Sequence, residues 1–378
     1  MTMFLRVRHA AVLMAALVGL ASAPAPAPRI VAIGDVHGAG DAFVAILQRT
    51  GLIDTQKRWT GGTAILVQTG DLLDRGPDSR QVMDLLMSLE SQADAAGGRV
   101  QPLLGNHEVM NLIGETRDAA PEIYRQFADD RSESKREEAY QAAAKASAAA
   151  PLDRAEWMSA HPAGYIEYRE ALTPNGVYGK WLRSKPMVAE IGGTIFMHGG
   201  INPDFTTESV DALNKRVRRE LSEFDDGFRW LQQHDLALPF STLTEVARAA
   251  GDEWTKLDLK RKREALSDDD IANAKLLLPI LKIDSTALLN PNGPLWFRGY
   301  STWSEQEGNT RMPALLKKYK VKRFVTAHTP QPGGRITARF GNTLYLIDTG
   351  MLDGKFYPGG GPSALEIVGD EVKQIYLK

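Results

Sequence analysis

The sequence predicts an α/β fold, and three observations carry that expectation. Six short apolar runs each end in a glycine or polar cluster, and helical patterns lie between several of them. The chain has 378 residues, 43% hydrophobic and 24% charged, which is long enough to bury a sizeable core and too ordinary in composition for disorder or a fibrous repeat. Apolar runs without alternation read as strands buried on both faces, and the polar clusters then fall on loops just beyond strand ends.

Taken in order, RIVAI (29–33) precedes GDVHG, TAILVQT (63–69) precedes GDLLDRGP, and VQPLL (100–104) runs into GNHE. Further on, TIFM (194–197) precedes HGG, KRFVT (322–326) precedes AHTP, and TLYLI (343–347) precedes DTG. Residues 79–90 place Val82, Met83, Leu85, Leu86 and Leu89 at helical spacing. Two longer segments interrupt this rhythm. Residues 114–180 are rich in alanine and charge, and residues 205–285 carry charged amphipathic stretches; both read as helical insertions that could wall a cleft. Gly359-Gly360-Gly361-Pro362 reads as a turn. Residues 29–378 are thus expected to form one domain with insertions.

The first 28 residues read as a targeting segment. Arg6 and Arg8 stand ahead of an apolar stretch from Ala10 to Leu20, followed by small residues and alternating proline and alanine, the order of a secretory signal. Eleven apolar residues are too few to span a bilayer, which takes about 20. The expectation is export, to a periplasm or the outside, with no stable membrane insertion after cleavage.

Composition excludes several chemistries. There is no cysteine, so no disulfide, thiolate metal site or thiolate nucleophile can form, and any metal must be held by imidazole, carboxylate, amide or water. A net charge of −2 argues against a nucleic-acid partner. Export removes two arginines and no acids, which makes the mature chain more acidic still.

Of seven histidines, four stand in strand-end clusters together with aspartates and an asparagine. Asp35, His37 and Asp71 supply three ligands for one metal; Asp71, Asn106, His198 and His328 supply four for a second, with Asp71 bridging. Two divalent ions about 3.5–4 Å apart clamp a phosphoryl group for in-line displacement and acidify a water between them. Mixed nitrogen and oxygen ligation favours manganese, iron or zinc over calcium and magnesium; manganese is the expected occupant. His107, one residue past a ligand, is placed to face the leaving oxygen as a general acid, with Asp74 on its other nitrogen. Arg75 suits bidentate contact with phosphate, and Arg298 in GPLWFRGY is a second candidate for that contact. His161 and His234 lack partners at useful spacing and read as structural or exposed, while Arg8-His9 lies in the export segment. No P-loop pattern is present, so phosphate is removed rather than transferred from a nucleotide.

At these residues the sequence resembles the metallophosphoesterases of the calcineurin-like superfamily, and more narrowly the phosphoprotein phosphatases. Their pattern GDxHG, GDxxDRG, GNHE, HGG and a late G-H-T is met in order from Gly34 to Thr329, and GNHEVMNL, HTPQPGG and IDTGM look like the Shewanella-like branch. The resemblance implies a sandwich of two mixed β-sheets flanked by helices, a dinuclear site at the loop rim, and the roles given above. Ala327 departs from the usual glycine. The implied activity is hydrolysis of a phosphorylated protein or peptide, or of a small phosphoester. The alternatives are a symmetrical dinucleoside-tetraphosphate hydrolase, against which Asp74 and Glu108 weigh, a cyclic-nucleotide phosphodiesterase, against which Arg75 weighs, and an inactive metal-binding module.

Overall fold

The computed structural model describes residues 27–146, 151–206, 208–354 and 356–377. The signal-like segment therefore lies outside the described residues, apart from its last two positions. Among the described residues no helix is long and apolar enough to cross a membrane.

The elements run β1 (Arg29–Ile33), α1 (Gly40–Arg49), β2 (Ile65–Gln68), α2 (Ser79–Ala95), β3 (Arg99–Pro102) and α3 (Asn106–Leu112). Five helices follow, α4 (Pro121–Arg125), α5 (Ser132–Ala146), α6 (Arg154–Ala160), α7 (Tyr165–Ala171) and α8 (Val177–Arg183), then β4 (Val188–Ile191) and β5 (Thr194–Met197). Next come α9 (Val210–Gln233), α10 (Leu243–Arg261), α11 (Asp268–Leu281), α12 (Gly299–Thr302) and α13 (Glu305–Tyr319). The chain closes with β6 (Arg323–Thr326), β7 (Thr337–Arg339), β8 (Leu344–Leu346), β9 (Ser363–Val368) and β10 (Glu371–Tyr376).

The strands form two mixed five-stranded sheets, ordered β10-β9-β1-β2-β3 and β4-β5-β6-β8-β7. In the first, β1, β2 and β3 are parallel; in the second, β5, β6 and β8 are parallel. Alternate residues explain the unbroken apolar runs. Ile30 and Ala32 of β1, Phe196 of β5, Val325 of β6 and Tyr345 of β8 meet between the sheets. Val31, Ile33, Ile195, Met197, Phe324 and Leu344 turn outward into the core shared with the helices. Both faces of β1, β5, β6 and β8 are covered, so neither needs polar residues. On the helical side, α2 buries Val82, Met83, Leu86 and Leu89 as the spacing predicts, and α9 buries Leu213, Val217, Leu221 and Phe224 along one stripe.

The topology places the chemistry. Asp35, Asp71 and Asn106 follow β1, β2 and β3; His198, His328 and Asp348 follow β5, β6 and β8. Three adjacent parallel strands of each sheet thus end on one rim, and their loops converge there.

Candidate metal centre

Close backbone approach brings the loops together. A β-carbon on Gly38 would collide with the Gly76 carbonyl, and one on Gly76 with that of His37, so glycine is needed at both. Glu108, on the first turn of α3, then ties the β2 loop to α3. Its Oε2 accepts from the backbone N–H groups of Asp71 (2.7 Å) and Gly105 (2.8 Å), and its Oε1 from those of Leu72 (2.8 Å) and Leu73 (3.2 Å). The carboxylate is fully buried, and burial followed by the charge of Asp71 raises its pKa against the bonds from Gly105, Asp71 and Leu72.

Asp71 Oδ2 is the hub. It lies 3.2 Å from His198 Nε2, 3.5 Å from His37 Nε2 and 3.9 Å from His107 Nε2. His198 Nε2 is also 2.8 Å from Asn106 Oδ1 and 3.0 Å from His328 Nδ1, while His37 Nε2 is 3.8 Å from Asp35 Oδ2. Ligands bound at about 2.1 Å in cis positions sit about 3.0–3.4 Å apart, so the second set has the spacing of one coordination shell and the first is somewhat looser.

Tautomers show that the donor atoms fit a cation. Three ring nitrogens lie against backbone carbonyls, which can only accept: His37 Nδ1 against Leu73 O (2.9 Å), His198 Nδ1 against Thr69 O (3.1 Å) and His328 Nε2 against Trp296 O (3.1 Å). Each of those nitrogens carries the proton, which leaves lone pairs on His37 Nε2, His198 Nε2 and His328 Nδ1 on the Asp71 side, that of His37 accepting from Arg75 Nη1 at 2.6 Å. Burial drives the pKa of His37 and of His328 well down, keeping both rings neutral. Lone pairs of His198 and His328 at 3.0 Å, with an amide oxygen beside them, repel unless a cation lies among them. Burial pushes the Asp71 pKa up, but a proton on a neighbouring imidazole, His198 first and then His107, pulls it down more strongly, and the net shift is downward. Asp35 moves the other way, raised by burial and by the charges of Asp348 and Asp71.

Beside the hub stands a second unit. His107 Nδ1 is 2.6 Å from Asp74 Oδ2, and Asn111 Nδ2 donates to the same oxygen (2.8 Å) and to His107 O (2.9 Å). Tyr168 from α7 donates to Asn111 Oδ1 (2.6 Å). Burial lowers the His107 pKa, but Asp71 and Asp74 more than restore it, and the net shift is upward. Arg75 Nη2 lies 3.1 Å from His107 Nε2 and Nη1 lies 2.6 Å from His37 Nε2. A guanidinium only donates, so its contact with His107 belongs to the neutral ring and gives way when Nε2 takes a proton. Arg298 stands at the rim, where Nη1 donates to His328 O (2.8 Å) and Thr329 Oγ1 (3.0 Å).

All ten residues expected from the sequence thus meet on one rim. Ala327 keeps φ negative and packs its methyl between the sheets, while the neighbouring His328 takes φ +67°. His161 and His234 instead stack on Trp157 (4.0 Å) and Trp230 (4.1 Å) in the helical shell. Asp348, fully buried against Asp35 with its pKa raised to about 6 by burial, was not among the expected residues, although DTG follows the sixth apolar run as the other clusters follow theirs. Asn111 was also legible, four residues past His107 on the same helix face.

Residues 28–332 match the family described as "Calcineurin-like phosphoesterase". The chain is similar to Shewanella-like protein phosphatase 1 of Plasmodium berghei, 24% identical over 352 residues that cover 92% of this chain and 74% of that protein. It is 31% identical over 214 residues to Shewanella-like protein phosphatase 2 of Arabidopsis thaliana, covering 53% of each. Its fold is like that of a cold-active protein-tyrosine phosphatase of a psychrophilic Shewanella species, with a TM-score of 0.58, 23% identity and coverage of 93% of this chain and 81% of that one. The histidine and aspartate rim and the family match lead to one conclusion: the chain belongs to the calcineurin-like phosphoesterase family and is a metal-dependent phosphoric-ester hydrolase.

Proposed function

We propose that the protein is a phosphoprotein phosphatase that removes phosphate from serine, threonine or tyrosine side chains by direct in-line attack of water at a dinuclear centre. The observation that carries this reading is the His107–Asp74 pair at 2.6 Å, set against the Asp71 hub with Arg75 alongside. Asp35, His37 and Asp71 would hold one divalent ion, and Asp71, Asn106, His198 and His328 the other. Such ions supply Lewis acidity toward the phosphoryl oxygens and an acidified water.

The chain's own groups do the rest. Asp74 and Asn111 fix the His107 ring so that Nε2 carries its proton toward the leaving oxygen, a contribution of typically about 10²- to 10⁴-fold. Arg75 and Arg298 approach the non-bridging oxygens from two sides of the rim. The Shewanella-like protein phosphatases and the protein-tyrosine phosphatase of like fold support a protein substrate. Nitrogen and oxygen ligation supports manganese over magnesium, with iron and zinc as the alternatives. The order of residues 1–28 supports export, to a periplasm or the medium.

Assays of the manganese-loaded protein against phosphotyrosine peptide, phosphoserine peptide and diadenosine tetraphosphate test the reading. Hydrolysis of at least one peptide with the dinucleotide left intact is expected. Turnover of the dinucleotide alone would overturn it.

A further inference from the structure

Beyond the residues named so far, the loop after β8 carries a side chain onto the phosphate-binding arginine. The Tyr357 hydroxyl contacts Arg75 Nη1, and the guanidinium carbon lies 5.5 Å from the centre of the Tyr357 ring. The ring is nearly parallel to that of His37, at 21° with centroids 6.1 Å apart.

The position is built. Gly350 takes φ +65°, and a β-carbon on it would stand 2.6 Å from Tyr357 Cβ, so glycine there makes room for the tyrosine. Thr349 closes the loop at its base: its Oγ1 lies 2.8 Å from Gly361 O and 2.8 Å from Ser363 Oγ, and its carbonyl accepts from Gly361 N–H (3.0 Å). Asp353 Oδ1 accepts from Gly354 N–H (2.6 Å) and Gly359 N–H (3.2 Å), and Gly360 N–H donates to Tyr357 O (2.8 Å).

Donor and acceptor counting then assigns the hydroxyl a task. Arginine has no acceptor, so the Tyr357 oxygen accepts from Arg75 and its own proton stays available. Among the described residues that proton has no acceptor. We propose that Tyr357 is a further substrate-binding residue, whose hydroxyl orients Arg75 and donates its proton to a non-bridging oxygen of the bound phosphoryl group. This rests on the phosphomonoesterase reading above and deepens it. Arg75 and Tyr357 then act as one unit, a cation and a neutral donor on adjacent phosphoryl oxygens.

The test compares the wild type with Tyr357→Phe and Tyr357→Ala, all metal-loaded, using inorganic phosphate as the probe. Its Kd is read by calorimetry and its Ki by competition against p-nitrophenyl phosphate. Phenylalanine keeps the ring on His37 and the loop beneath it, and removes only the hydroxyl. The expected result is a Kd and a Ki about tenfold higher for Tyr357→Phe, the loss of one hydrogen bond to a charged group, with KM rising more than kcat falls. A phosphate Kd within twofold of wild type for Tyr357→Phe overturns the proposal. So does weakening confined to Tyr357→Ala, which would make the residue a packing wall only. A wild-type protein that binds phosphate yet cleaves no phosphomonoester would sink the functional reading, while the Kd comparison would still decide the role of Tyr357.

Discussion

The strand-end rim and the helical shell handle charge in opposite ways. At the rim Asp35, His37, Asp71, Asp74, His107 and His198 are almost wholly buried, and they neighbour one another rather than solvent. In the shell, Lys215–Asp211 on α9 is an exposed pair one helical turn apart, and Lys262–Asp258 at the end of α10 is one with its aspartate half-buried. Backbone follows the same division. Among the described residues ten non-glycine positions have positive φ, and His37, Asp71, Asp74, Arg75 and His328 are half of them. Such a conformation costs about 1 kcal/mol or more per residue, and burying like charges costs further. The contrast teaches that the rim gives up local stability for geometry, whereas the shell departs from local preference at few places, such as Pro279 in α11 and Pro313 in α13. α10 and α11 each open with a capping box, Thr242 with Glu245 and Ser267 with Asp270.

Substitutions break this contrast in graded fashion. His107→Asn should slow turnover of an alkyl phosphate by at least about a hundredfold while the metal content stays that of wild type. The loss should be smaller with p-nitrophenyl phosphate, whose leaving group hardly needs a proton; equal losses on both substrates would remove His107 from the acid role. Asp74→Asn probes the same unit through pH. The His107 pKa is raised by Asp71 and Asp74 against burial, and the acid works protonated, so activity on an alkyl phosphate falls as pH rises through that pKa. Removing the Asp74 charge lowers the pKa, and the alkaline limb of kcat should move to lower pH; an unmoved limb would contradict the coupling. Asp258→Ala in the shell should change neither kcat nor the melting temperature measurably, because exposed pairs contribute little. A clear drop in either would mean that the shell is not the passive partner in this comparison.

Legibility in the sequence follows the same line. The six apolar runs coincide with β1, β2, β3, β5, β6 and β8, whose two faces are both covered. β4, β7, β9 and β10 carry no comparable run, because β4, β7 and β10 are edge strands with exposed positions, and β9 breaks its apolar run at Glu366, which pairs with Arg29. The ligand set was readable because each member sits at the same place relative to a strand end. Tyr168 and Tyr357 were not, since the first reaches Asn111 from 57 residues away and the second reaches Arg75 from a loop with no motif of its own. Contacts made only by tertiary folding leave no local pattern to read.

Asp71 is shared by the two proposed ligand sets and would hold both ions, and counting metal tests this most directly. Elemental analysis of the purified wild type should find two divalent ions per chain. Asp71→Asn, which keeps the shape but removes the charge shared by both sets, should lose metal and activity together. Two ions per chain retained in Asp71→Asn would contradict the account.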